Sequence, residues 1–286
     1  MTPDSGLVLA RFAALAALLA VAGVPLYCLS ARQALLGEPA RRALAILAIL
    51  AMLASLWWAL ASVAAMAAMP ISALDRETVL AVLGATPTGM VLAVRLGAGA
   101  LLLASLALTP RCLPAALLGL IALASSAWTG HSGVAEGAPG IMQRGFDAAH
   151  LGAASLWLGA LLVFLASLGR QPGRSHLIER LSAFSRTGTI VVVLLAVTGS
   201  INAVLIGCEG WSPASGWTVL LAAKLALFLA MLGLAALNRW RLTPALAANA
   251  PSAERRLTVS LTLETLCALA VVALVAVLGL LDPSGA

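Results

Sequence analysis

The chain has 286 residues, of which 62% are hydrophobic and only 10% charged, with a formal net charge of +6. A water-soluble domain carries about 25% charged residues, so this composition excludes a soluble globular protein. The few aromatics, the alanine and leucine bias and the lack of alternating strand patterns exclude an outer-membrane barrel. The basic excess does not indicate nucleic acid, because the arginines sit in short connections between apolar runs, where membrane topology signals belong.

A spanning helix needs roughly 20 mostly apolar residues. Eight runs qualify in chain order: Leu7–Leu29, Ala43–Met69, Thr88–Leu108, a short fourth at Leu113–Trp128, Asp147–Leu168, Thr189–Ile206, Trp217–Leu237 and Leu257–Leu281. The leader carries Asp4 and lacks a basic n-region, so the first run reads as a retained span and not a signal peptide. Pro70, Pro110, Pro213, Pro244 and Pro283 fall in or beside connections, where proline does least harm. The predicted fold is therefore an all-α polytopic transmembrane bundle of about eight spans, a single integral membrane domain over 1–286.

Twelve of the 17 basic residues lie in the odd-numbered connections. These are Arg32, Arg41 and Arg42; Arg111; Arg170, Arg174, Arg180 and Arg186; and Arg239, Arg241, Arg255 and Arg256. The even connections hold only Arg76 and Arg144, against Asp75, Glu77, Glu136 and Glu209. By the positive-inside rule the odd connections are cytoplasmic and both termini lie outside, in the periplasm of a bacterial inner membrane.

Ionisable side chains within spans are costly and face an interior or a wet cavity. Here they are Arg95, His150, Lys224 and Glu264, with Asp147 at a span entrance. Asp147 and His150, three residues apart, share a helix face, and Trp157 lies seven residues beyond. His131, in Gly130-His131-Ser132-Gly133, stands just past the fourth span, and Met142 lies in the same outer connection. Imidazole and carboxylate suit Cu(II), thioether suits Cu(I). His131 and His150 thus form a candidate metal pair, with Asp147 and Met142 as further ligands. The competing reading has Asp147 and His150 capping the fifth span with His131 in water. Lys224, Glu264, Arg95, Trp157 and Asn202 are candidates for a transport path, although Lys224 and Glu264 fall on opposite sides of the midplane. Cys28, Cys112, Cys208 and Cys267 form no C-x-x-C, and Cys28 and Cys267 read as packing residues. No P-loop, G-x-S-x-G or H-E-x-x-H is present, so nothing indicates a soluble-type enzyme.

An ordered set of pieces in the second half resembles the CopD family of copper-resistance and copper-homeostasis inner-membrane proteins. They are Gly130-His131; Asp147-x-x-His150 followed by Trp157-x-Gly159; Phe184-Ser185-Arg186; Thr198-Gly199 with Asn202; Lys224 within Leu-Ala-Ala-Lys-Leu-Ala-Leu; Asn238-Arg239; and Glu264. The resemblance covers 128–281; the first three spans match in length, hydropathy and count. It implies a protein that takes a copper ion from the periplasm toward the cytoplasm without ATP hydrolysis, alongside a periplasmic copper-binding partner of the CopC type. Two other readings stand beside it: a b-type haem electron carrier using His131 and His150 as axial ligands, and a structural or assembly membrane protein without transport.

Overall fold

The computed structural model describes residues 4–130, 137–168, 174–207, 212 and 215–284. All the regular structure among them is helical. The helices are α1 (Ser5–Ser30), α2 (Glu38–Ala67), α3 (Arg76–Ala85), α4 (Pro87–Leu108), α5 (Cys112–Ala124), α6 (Gly137–Ser167), α7 (Arg174–Gly207), α8 (Gly216–Leu237), α9 (Thr243–Ala247) and α10 (Ala253–Leu278). Seven of them, α1, α2, α4, α6, α7, α8 and α10, are long and apolar enough to cross a membrane. The expected fourth span is the shorter apolar helix Cys112–Trp128, α5 closed by a 3-10 turn.

Helix starts follow local chemistry. The Asp4 carboxylate accepts the amides of Gly6 and Leu7 at 2.6 and 3.1 Å, while Pro39 and Pro87 occupy first-turn positions that need no amide. Two features lie outside the apolar runs. The helix α3 occupies what reads as an outer connection. Asp75 caps it by accepting the Thr78 amide at 2.7 Å, and that bond holds the Asp75 carboxyl below its ordinary value. The helices α6 and α7 begin ten and fifteen residues before the apolar stretches at Asp147 and Thr189, because helical hydrogen bonding continues through polar sequence once nucleated. The α8 helix runs through one π turn, Asn238–Leu242, into α9.

The core is built around α1, which packs against α6, α2, α5 and α10. Its closest approach is to α6. A Cβ on Gly23 would strike the Ser155 carbonyl, and one on Gly159 would strike the Gly23 carbonyl, so the two backbones touch, as small residues permit between membrane helices. Further along, Tyr27, Phe164 and Phe184 join α1, α6 and α7 edge to face, with ring centroids 5.3–5.7 Å apart. The first and third connections are clasped together: the Leu36 amide donates to the Pro110 carbonyl at 2.7 Å and the Cys112 amide to the Ala34 carbonyl at 2.9 Å. Both odd-numbered connections therefore lie at one end of the bundle. The α7 and α8 helices differ from the rest. Only 11% and 6% of their apolar stretches are buried, against 44% for α1 and α6. They follow one another in sequence yet pack hardly at all against each other, α7 lying on α6 and α8 on α10. A seam is left between them.

Candidate functional site

The end of the bundle opposite the clasp holds a cavity of about 240 Å³. It is lined by polar side chains from six helices: Arg11 of α1, Trp58 of α2, Arg95 of α4, Asp147 and His150 of α6, Asn202 of α7, and Lys224 of α8. Four of the elements contribute their terminal turns, through Gly130, Ile206, Trp217 and Gly279. Of the sequence candidates, the structure thus brings Asp147, His150, Lys224, Asn202 and Arg95 into one chamber.

His150 is held from behind. Its Nδ1 lies 3.0 Å from Thr198 Oγ1, whose own hydroxyl proton donates to the Leu194 carbonyl at 2.5 Å. With that single proton committed, Thr198 can only accept, so Nδ1 carries the imidazole proton and Nε2 keeps its lone pair. Gly199 makes the approach possible, since a Cβ there would press on the imidazole edge at 3.3 Å. A hydroxyl behind one ring nitrogen with the other left as a donor is the arrangement that orients a metal-binding histidine. One helical turn earlier, Asp147 Oδ1 accepts the Asn202 side-chain amide at 3.4 Å, which ties α6 to α7 a second time.

Arg95 forms the floor. It is 5% exposed, donates to Ser125 Oγ at 3.3 Å and Ser126 Oγ at 2.9 Å, and lies over the Trp58 ring with its guanidinium carbon 4.4 Å from the centroid. Arg11 lines the same cavity. Its tip lies against Gly279, where a Cβ would collide with Nη2. Sequence reasoning left Arg11, Thr198 and the Ser125–Ser126 pair without site roles. An arginine within a span is itself a signal of an interior polar site; the serines carried none.

Glu264 and Trp157 lie elsewhere. Glu264, 2% exposed, accepts the Trp157 indole N–H on Oε1 at 2.7 Å and the Asn238 amide on Oε2 at 2.9 Å. Neither Trp157 nor Glu264 lines the cavity. They form a second buried polar cluster about 10 Å below His150, since Trp157 is seven residues further along the same helix. Met142 is 52% exposed and is not part of the cavity wall. His131 lies outside the described residues. Among the described residues no three histidine, cysteine or acidic side chains converge as a metal cage.

No solved structure matches the chain. The sequence pattern described as copper resistance protein D-like, N-terminal domain, matches residues 1–141, and that described as copper resistance protein D matches residues 178–278. Over 181 residues the chain is 35% identical to "Copper resistance protein D" of Pseudomonas syringae pv. tomato, a match spanning 58% of this chain and 58% of the length of that relative. With its apolar spanning helices and these matches across both halves, the chain is a multi-pass membrane protein that belongs to the copper resistance protein D family.

Proposed function

We propose that this protein carries a copper ion from the periplasm into the membrane-spanning bundle and toward the cytoplasm, without ATP hydrolysis and without covalent catalysis. The observation that supports this reading best is His150: a half-buried imidazole whose Nδ1–H is fixed by Thr198 and whose Nε2 is left with its lone pair free for a metal, in a chamber shared with Asp147. The ion would meet Nε2 first, with Asp147 as a second ligand or as a carboxylate that attracts cations to the mouth. His131 would complete the pair from the adjoining connection, and Met142 would take part only if Cu(I) is carried. The buried Trp157–Glu264–Asn238 cluster supplies the next polar station along the bundle axis. A small periplasmic copper-binding protein of the CopC type would deliver the ion.

The reading assumes eight spans in a bacterial inner membrane, the fourth being Cys112–Trp128, with both termini periplasmic. The arginine alternation and the grouping of the two clasped odd connections at one end favour it. Reporter fusions after Arg186 and Arg256 are expected to report cytoplasm, and fusions after Glu77 and Glu136 periplasm; a periplasmic signal at Arg186 would sink the orientation. Purified protein in liposomes is expected to admit radiocopper supplied outside. Uptake no faster than in empty liposomes would remove the transport reading.

A further inference from the structure

The cavity carries more positive charge than a cation site should. Arg11, Arg95 and Lys224 all line it, and Asp147 is the one carboxylate among its described lining residues. Fixed cations inside a membrane bundle are expensive unless a partner offsets them. No described carboxylate lies within ion-pair distance of Arg11 or Arg95. The groups that Arg95 hydrogen-bonds or stacks on are all neutral, two serine hydroxyls and an indole face. The Arg11 Nε is buried without any hydrogen-bond partner among the described residues. On the far wall the Asn202 side-chain oxygen is likewise buried without a partner.

We propose that this chamber is an oxyanion site, with Arg11 and Arg95 binding a phosphate-class group on its floor and Lys224 closing it from the α8 side. Two planar guanidinium forks suit the trigonal or tetrahedral oxygens of an oxyanion, whereas lysine adds an unselective point charge. The site stands on the cationic lining and holds whether or not copper passes through it. Two sources can supply the group. Free inorganic phosphate can enter from the end of the bundle at which the chamber lies. A phospholipid headgroup can enter sideways through the seam between α7 and α8, whose two sides carry Asn202, Ala203 and Ile206 on α7, and Leu221 and Lys224 on α8.

The test uses the full chain in nanodiscs of phosphatidylcholine, without copper. Radiolabelled inorganic phosphate is titrated at constant ionic strength, and retention of phosphatidylglycerol is measured separately by extraction and mass spectrometry. Saturable phosphate binding, or selective retention of the anionic lipid, is expected in the wild type; the responding arm identifies the source. Arg95→Gln and Arg11→Gln are each expected to weaken it roughly tenfold or more, as loss of a charge-assisted contact does. Arg76→Gln, which removes the same charge from the exposed α3, is expected to leave it unchanged. Arg11→Gln removes no hydrogen bond of the fold and serves if Arg95→Gln fails to assemble. Absence of binding in both arms, or wild-type binding in both variants, overturns the proposal. So does binding that appears only in Glu136→Gln or Glu209→Gln, which would show that the chain supplies its own counter-charge.

Discussion

Replacing His150 by alanine is expected to abolish stoichiometric copper binding by the purified protein while leaving the bundle folded. The imidazole is held between α6 and α7 by one hydrogen bond to Thr198 and by contact with Gly199. Its removal opens space beside an existing cavity and strands no charge, so the folding cost is that of one neutral hydrogen bond, about 1 kcal/mol. The metal would lose its only fixed nitrogen donor among the described residues. Thr198→Val separates orientation from ligation: the ring stays, but nothing keeps the proton on Nδ1, and affinity is expected to fall about 10- to 100-fold, as for other groups that orient a ligand. Copper titration against a chelating indicator, with thermal unfolding of each variant beside it, reads both effects. Unchanged binding in His150→Ala would place the copper path elsewhere in the bundle.

Gly159→Val is expected to remove the folded protein altogether. The Gly159 Cα faces the Gly23 carbonyl and the Val24 amide across the α1–α6 crossing. The atoms in the way belong to the backbone of a central helix and not to the tip of a flexible side chain. Overpacking in ordinary cores costs about 1–3 kcal/mol because side chains shift; here the helices themselves must separate, and the cost exceeds that range. Since α1 also holds α2, α5 and α10, the loss spreads through the whole core. Gly23→Val meets the Ser155 carbonyl and should behave alike. Gly97→Val, at a position with open space around it, is the matched control. Monodisperse protein recovered in detergent at wild-type yield from Gly159→Val would contradict the observed crossing.

The sequence makes the helical class and the spanning runs legible because apolar length is a one-dimensional property. The chamber is only partly so. Asp147, His150 and Lys224 stand out as charges within apolar sequence, and the fold places them together. The Ser125–Ser126 pair does not stand out, and Thr198 enters only through the resemblance and without a role, since hydroxyls are ordinary in membrane helices and their roles depend on which helix lies opposite. Glu264 reads from sequence as a carboxylate within the last span and a candidate for a transport path, across the midplane from Lys224. The structure gives it two neutral donors, and Asn238, which supplies one of them, is named from sequence only as a piece of the family resemblance. The ends of α6 and α7 were hidden for another reason: hydropathy marks where a helix becomes apolar, not where it begins.

The clasp between the first and third connections has a mechanical consequence. Two short backbone hydrogen bonds and the Tyr27–Phe164–Phe184 aromatic trio tie the bundle at one end, while the opposite end holds the chamber and has a seam on one side. Any rocking of the helices must then pivot about the tied base. The 26 residues of α1 make a lever about 39 Å long. A tilt of only about 3° at the base displaces its far end by about 2 Å, comparable to one metal–nitrogen bond length. A tilt of that size would change the chamber's grip on an occupant while the contacts at the base barely move, and α2 and α4, which pack on Ala10 and Ala14, would have to move with α1.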